Sequence, residues 1–232
     1  MPNLQNYTNV KPLKALDLFC GVGGVSVGLF NAGFEVVGVD VEEQDNYPFE
    51  FIQKSVFDLD QGFMKSFDLI HASPPCQGYI WTNQKKEGYL RLIEPVRELL
   101  EKVGKPYIIE NVQGAPIRKD LMLCGEMFGL KVLRHRIFEI HGFHVAQLKH
   151  VLHKGLMGLG DYVGCYGGSK GNGNTRAKYG NPNPSFLQQK QAMQIFWAKK
   201  DQELFNAIPP KYYEYIGKQF LKPQRSLLTL YE

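Results

Sequence analysis

The stretch ALDLFCGVGG, residues 15–24, joins a short apolar run to a segment with helical spacing, Val25 to Ala32, that ends at Gly33. Glycines between a strand and a helix let the backbone approach a ligand closely, and the helix N-terminus favours negative groups. The next apolar run ends in Asp40, whose carboxylate is placed to accept hydrogen bonds from ribose hydroxyls. The stretch is therefore typical of a cofactor turn, for either a dinucleotide or S-adenosylmethionine.

Strand-like and helix-like segments alternate through the first half of the chain. After Asp40 the candidate strands are residues 51–53 with Val56, then 67–71 and 107–109. Residues 89–103, between the last two strands, carry apolar side chains at helical spacing. This alternation predicts an α/β fold, a doubly wound and mostly parallel sheet with helices on both faces.

Composition and charge narrow the class of protein. The 232 residues are 44% hydrophobic and 22% charged, which is ordinary for a globular domain. A formal net charge of +4 permits a polyanionic partner without requiring one. The sequence has no signal-peptide pattern and no apolar run long enough to span a bilayer, so we expect a cytoplasmic protein with no membrane partner.

The four cysteines are scattered. Cys20, Cys76, Cys124 and Cys165 form no C-x-x-C pair, and no histidine stands at zinc-finger spacing from them. We therefore expect reduced thiols, no disulfide framework and no metal site.

A proline-rich turn follows the fourth candidate strand. In SPPCQ, residues 73–77, two prolines pre-set the backbone and present the Cys76 thiol on a stiff loop at the edge of the sheet where ligands bind. Taken alone, the loop fits a buried structural cysteine equally well. Farther on, residues 141–185 are rich in glycine, with basic side chains among aromatic ones. That mixture suits phosphates and stacked bases, or a solvated insertion.

Five short motifs, in order, resemble those of the DNA (cytosine-5)-methyltransferase family. They are DLFCGVGG (17–24), SPPCQGY (73–79), IENV (109–112), RHRIF (134–138) and NAIPP with YIG (206–210 and 215–217). The compact form resembles the small members carried by phages and prophages. The resemblance implies a sheet of the S-adenosylmethionine-dependent methyltransferase type. It also implies a catalytic domain at 1–140, a short target-recognition segment at 141–186 and C-terminal helices at 187–232.

The resemblance also implies a chemistry and its catalytic residues. Cys76 would add to C6 of a flipped-out cytosine and so activate C5 for methylation. Glu110 would assist at N3, and Arg136 would hold O2. Arg134 would support the loop or a phosphate. The C5 proton would then leave and the thiol would be eliminated.

Further residues follow from the resemblance. S-adenosylmethionine, with no metal, is the expected cofactor, held by Phe19, Gly21, Gly23, Gly24, Asp40, Val56, Pro75, Leu90 and Asn206. Double-stranded DNA is the expected partner, contacted by Gln77, Trp81, Lys85, Lys86, Lys170, Arg176 and Lys178. We expect a monomer, with a restriction endonuclease of the same system as a candidate partner.

The chain departs from the family in places. Ser55 stands where an aspartate is common, and Val132 where a glutamine is. These departures leave a DNA-binding homologue that no longer catalyses as one alternative. A tRNA cytosine-C5 methyltransferase is a second alternative. A dinucleotide-binding oxidoreductase is a third, disfavoured because the chain lacks the full G-x-G-x-x-G.

Overall fold

A seven-stranded sheet forms the centre of the molecule. The computed structural model describes residues 11–79, 88–150, 153, 161–165 and 184–223. The strands are β1 (Lys14–Leu18), β2 (Glu35–Asp40), β3 (Glu50–Gln53), β4 (Leu69–Ala72), β5 (Tyr107–Asn111), β6 (Leu121–Leu123) and β7 (Arg136–His141). Their order across the sheet is β3-β2-β1-β4-β5-β7-β6.

The sheet is parallel from β3 to β5 and antiparallel beyond it. β1 pairs in parallel with β2 and β4, whereas β7 runs antiparallel to both β5 and β6. This confirms the predicted α/β fold with a mostly parallel sheet. β6 and β7 were not predicted as strands.

Helices cover both faces of the sheet. They are α1 (Gly24–Ala32), α2 (Gln61–Lys65), α3 (Ile93–Val103), α4 (Phe186–Met193), α5 (Asp201–Asn206) and α6 (Pro210–Phe220). Alternate residues of β1 point to opposite faces, so Ala15 joins a core with α1 and α6, whereas Leu16 joins one with α3. Both faces are buried, which explains why the central strands are mainly apolar.

Helix α1 packs closely against the chain that leads into α6. A Cβ on Gly24 would lie 2.2 Å from the carbonyl oxygen of Ile208, and one on Gly28 would lie 2.3 Å from that of Pro210. The two glycines therefore bring the cofactor turn and the NAIPP motif into backbone contact. Indole Nε1 of Trp197 adds a hydrogen bond of 2.6 Å to the carbonyl of Val22.

Two predicted element boundaries are wrong. Val56 lies in a 3-10 turn, Val56–Asp58, rather than in a strand, because Ser55 caps that turn by accepting from the Phe57 amide. Helix α3 begins at Ile93 rather than at residue 89. This start places Pro95 in the first helical turn, where its missing N–H is not needed.

The division into three regions stays a prediction, because much of 141–186 lies outside the described residues. Of that segment, Val145 and Cys165 are buried in the core cluster that also holds Leu130, and Tyr162 is buried as well. Among the helices that the structure describes, none has the length and apolar character needed to cross a membrane.

Candidate active site

Three of the predicted catalytic residues belong to neighbouring strand ends. Cys76 follows β4, and Glu110 lies near the end of β5. Arg136 begins β7, which reaches the same edge because β7 runs antiparallel to β5. The antiparallel strand thus brings an arginine, from the start of a strand, to the ligand-binding edge of a parallel sheet.

The loop that carries Cys76 is held from β5. Side-chain Nδ2 of Asn111 donates a buried hydrogen bond of 2.9 Å to the carbonyl of Pro74. The amide of Tyr79 closes a turn by donating to the carbonyl of Cys76 at 2.9 Å. The thiol is therefore half-buried on a loop fixed on both sides. Burial raises the pKa of Cys76, and the charge of Arg136 opposes that rise.

Glu110 and Arg136 form a buried ion pair. Nε of Arg136 lies 2.9 Å from Oε1 of Glu110. Glu110 is only 4% exposed. That oxygen receives no aligned hydrogen bond from any residue that the structure describes. Burial raises the pKa of Glu110 above its ordinary value, although Arg136 and then His71 act to lower it.

Arg134 serves the architecture of this region. Its guanidinium donates to the carbonyl of Cys165 and to that of Phe205, both at 2.5 Å. Its own carbonyl accepts from the Tyr212 hydroxyl at 2.7 Å. Burial, with the nearby charge of Arg136, lowers the pKa of Arg134 to about 9, so the group stays charged at neutral pH. Arg134 thus joins the backbone at Cys165 to α5 and α6.

The glycine-rich turn has a left-handed backbone. Phe19, Gly21 and Gly23 have φ angles of 60°, 48° and 86°. The Gly21 amide donates to Oδ2 of Asp40 at 3.0 Å, and Oδ1 accepts from the Glu42 amide at 3.1 Å. The carboxylate predicted to bind ribose therefore also fixes the turn, from the end of β2.

Behind this turn lies a polar network that sequence reasoning missed. Buried Asp17 accepts a short hydrogen bond from Ser26 Oγ and lies 2.7 Å from Nδ1 of His71. The Tyr47 hydroxyl lies 2.7 Å from the same Ser26 oxygen. Asp17 and His71 are cross-strand partners on β1 and β4. Two polar residues inside apolar runs were the signal that could have indicated this network.

The other predicted cofactor residues differ in exposure. Val56 is buried, Pro75 is half-buried, and Leu90 is 66% exposed beside the Cys76 loop. Asn206 is exposed at the end of α5, where its Oδ1 accepts from Gln202 at 3.2 Å. Gly24 is buried beneath Ile208.

Of the predicted DNA contacts, only Gln77 lies within the described residues, half-buried next to Cys76. The others, which are Trp81, Lys85, Lys86, Lys170, Arg176 and Lys178, lie outside them. Those contacts stay predictions.

Comparison with known proteins identifies the family of this chain. The family model described as C-5 cytosine-specific DNA methylase matches residues 13–120. Over 121 residues the chain is 31% identical to the Type II methyltransferase M.HgiGI of Herpetosiphon aurantiacus, covering 46% of this chain and 96% of that protein. The chain belongs to the C-5 cytosine-specific DNA methylase family. The matched region contains Cys76 and Glu110, whereas Arg136 lies beyond the family match.

Two further relatives match this chain over only part of their own length. Type II methyltransferase M.HgiDI of the same organism is 26% identical over 189 residues, which is 66% of this chain and 61% of the relative. The human tRNA (cytosine(38)-C(5))-methyltransferase is 27% identical over 135 residues, or 49% of this chain and 34% of the relative. The chain therefore spans less than two thirds of both.

Solved structures agree on the fold of this methylase-family chain. The crystal structure of S. pombe Dnmt2 methyltransferase aligns with a TM-score of 0.61 at 14% identity, over 91% of this chain and 99% of that one. At that identity the likeness supports the α/β architecture and nothing finer.

Proposed function

We propose that this protein is a DNA cytosine-C5 methyltransferase that uses S-adenosylmethionine. One observation carries the proposal. In a chain of this family, the Cys76 loop and the Glu110–Arg136 ion pair lie at the same edge of the sheet, which is the edge where ligands bind in such folds. A nucleophile, an acid and a cation at one edge are the groups that methylation of an unactivated pyrimidine carbon requires.

Cys76 is the nucleophile in this mechanism. Its thiolate forms a bond to C6 of a cytosine turned out of the helix, and the electron pair of the C5–C6 double bond moves to C5. C5 would then bond to the methyl carbon of S-adenosylmethionine, and the bond from that carbon to the sulfonium sulfur would break and leave a neutral thioether. Loss of the C5 proton to a base returns an electron pair to the ring, which breaks the bond between carbon and sulfur. Burial raises the pKa of the Cys76 thiol, and the positive charge of Arg136 acts to lower it. Arg136 therefore favours the thiolate form of Cys76.

Glu110 supplies the proton that makes the ring a better acceptor. Because burial raises its pKa, the carboxyl can hold a proton and donate it to N3 as negative charge develops on the ring. Arg136 lies against the same carboxyl group, from where its guanidinium can bind O2 of the base. The contact between Glu110 and Arg136 would thus be replaced by contacts from each residue to the base.

The glycine-rich turn fits the methyl donor. A Cβ at Gly21 would meet no atom within 4 Å, so the turn leaves open space at the edge of the sheet. Phe19, Gly21 and Asp40 would hold the cofactor there, with the Asp40 carboxylate accepting from ribose hydroxyls. When bound, S-adenosylmethionine supplies an electrophilic methyl group.

DNA is the proposed substrate because two relatives are Type II methyltransferases and the family is described as acting on DNA. We propose a restriction-modification context on the same ground. The likeness to a tRNA (cytosine(38)-C(5))-methyltransferase keeps RNA as a second candidate.

One experiment separates these substrates without knowledge of the target sequence. Wild type, Cys76→Ser and the thiol control Cys165→Ala are expressed in a host without cytosine-5 methylation, and nucleosides from DNA and RNA are quantified by mass spectrometry. We expect 5-methylcytosine in DNA with wild type and Cys165→Ala, and none with Cys76→Ser. Methylation of RNA alone would replace the DNA proposal with the RNA one, and no methylation with correctly folded protein would reject both.

A further inference from the structure

Four metal-binding side chains converge away from the Cys76 loop. Their ligand atoms all lie within 4.8 Å of one another, and they belong to Cys124, His135, His150 and His153. We call these four residues the Cys-His cluster. Three of the six histidines of the chain are gathered in it.

The cluster has nearly the dimensions of a tetrahedral zinc site. Nε2 of His135 lies 3.0 Å from Nε2 of both His150 and His153, and Sγ of Cys124 lies 3.8 Å from Nε2 of His153. Zinc bonds of about 2.0 Å to nitrogen and about 2.3 Å to sulfur give tetrahedral edges of about 3.3 Å between two nitrogens and about 3.5 Å between nitrogen and sulfur. These three separations differ from the tetrahedral edges by a few tenths of an ångström, and the remaining ligand atoms, which lie within 4.8 Å of one another, would move closer together around a central zinc ion.

A carboxylate orients one of the imidazoles. Glu126 makes a short hydrogen bond to Nδ1 of His153, which directs Nε2 of that ring toward the other ligands. The Tyr162 side chain hydrogen-bonds to the same carboxylate. A carboxylate behind a histidine is the usual outer partner of a zinc ligand, because it fixes the ring and increases its basicity.

The sulfur ligand lies in a polar backbone environment. Cys124 precedes a 3-10 turn, Gly125–Phe128, and the amides of Gly125, Glu126 and Arg134 are directed at its sulfur. Burial raises the pKa of Cys124, and these amide donors partly offset that rise by stabilising the thiolate, the form of cysteine that binds metal. The cysteine is fully buried, whereas His150 at the opposite side of the cluster is exposed.

We propose that the Cys-His cluster binds one zinc ion in a closed, four-coordinate structural site. Binding would release the thiol proton of Cys124 and form one bond to sulfur and three to nitrogen. Four protein ligands leave no open position for a substrate, so the role is structural. The scattered cysteines of the sequence gave no sign of this site, because its ligands come from separate parts of the chain.

The ligands indicate what the metal would hold in place. Cys124 follows β6 and His135 precedes β7, while His150 and His153 belong to the predicted recognition segment. His135 stands between Arg134 and Arg136. The ion would thus tie the start of that segment to the arginine motif, and would fix the backbone from which Arg136 enters the site.

Metal content of the full chain tests the proposal independently of methyl transfer. Protein without a polyhistidine tag is dialysed, and its metals are measured by plasma mass spectrometry for wild type, His150→Ala and the control His144→Ala, an exposed histidine outside the cluster. We expect about one zinc per chain in wild type and His144→Ala, with affinity at least tenfold weaker in His150→Ala. No retained zinc in wild type, or equal retention in His150→Ala, would overturn the proposal.

Cobalt substitution tests the ligand set. Wild type loaded with Co²⁺ should give the absorption of a tetrahedral ion and a charge-transfer band from thiolate to cobalt. Glu126→Gln should retain both bands while binding zinc about 10- to 100-fold more weakly. An octahedral spectrum without the thiolate band would contradict the site.

Discussion

Nε of Arg136 lies 2.9 Å from Oε1 of Glu110, at the edge of the sheet beside the loop that carries Cys76. Two strands make this possible, because β5 ends and antiparallel β7 begins at the same edge. The pair is buried without an aligned hydrogen bond at Oε1 from the described residues. A substrate that offered a ring nitrogen to Glu110 and a carbonyl to Arg136 would satisfy both groups.

The first prediction concerns Glu110 as the acid. Glu110→Gln should lower the single-turnover rate of methyl transfer about 10²- to 10⁴-fold, because the amide cannot supply a proton to N3. Because burial raises the pKa of Glu110, the protonated acid persists to higher pH than an ordinary glutamate, and the wild-type rate should fall as pH rises through that pKa. The variant should lack this decrease.

The control is Glu98→Gln on the exposed side of α3, which should match wild type in rate and pH profile. An unchanged pH profile in Glu110→Gln would remove Glu110 from its proposed role.

Asn111 is predicted to position the nucleophile. Asn111→Asp keeps the oxygen that accepts from the Val112 amide but loses the donor to the Pro74 carbonyl. The rate of covalent addition by Cys76 should therefore fall about tenfold to a hundredfold, while KM for S-adenosylmethionine is unchanged. Single-turnover trapping measures the rate, and Asn31→Asp, at an exposed position of α1, is the control. A changed KM with a normal addition rate would contradict the positioning role.

Gly28 gives a prediction in which two effects have opposite signs. Alanine is the better helix former by about 0.5–1 kcal/mol. Its Cβ, however, would lie 2.3 Å from the carbonyl oxygen of Pro210. We expect Gly28→Ala to lower the free energy of unfolding by about 3 kcal/mol, measured by denaturant titration. A stabilised variant would show that α1 and α6 do not pack as described.

Arg97 is predicted to stabilise the fold through Glu139. The guanidinium of Arg97 makes two hydrogen bonds of 2.9 Å to this fully buried carboxylate. Removal of one partner of a buried pair costs about 3–5 kcal/mol, and we expect the lower value for Arg97→Ala because the Arg118 amide still donates to Glu139. Lys102→Ala on the same helix should change stability little.

The same pair gives a pH dependence. Burial alone would raise the pKa of Glu139, but hydrogen bonds from Arg97 and from the Arg118 amide lower it below its ordinary 4.5. A lowered pKa means that the stability is present above the ordinary pKa and is lost as pH falls through the folded one. The difference between wild type and Arg97→Ala should therefore shrink in acid. A constant difference down to acid unfolding would contradict this account.

The parallel half of the fold could be predicted from sequence because its strands are short, mainly apolar runs that alternate with turns and a helical pattern. Strand β6 could not, since the three residues Leu121–Leu123 are too few for a period to appear. The start of β7 was recognised as an arginine motif, and its antiparallel direction follows only from pairing with β5.

Side-chain contacts between segments that are distant in sequence could not be predicted either. Asp17 and His71 meet because β1 and β4 are neighbours in the sheet, although the strands are not consecutive in sequence. The Cys-His cluster likewise depends on how β6, β7 and the following loop come together. By contrast, short motifs were enough to predict Cys76 and Glu110 as catalytic residues, and that role stays a prediction.

The central claim is that Cys76 bonds to C6 of the target cytosine. Its most direct test is mass spectrometry of denatured protein after incubation with S-adenosylmethionine and duplex DNA that carries 5-fluorocytosine at the methylated site. Fluorine cannot leave as a proton does, so the enzyme should remain covalently joined to the methylated base through Cys76, and Cys76→Ser should form no adduct. A methylation-competent enzyme that forms no adduct, or one joined through another residue, would contradict the claim.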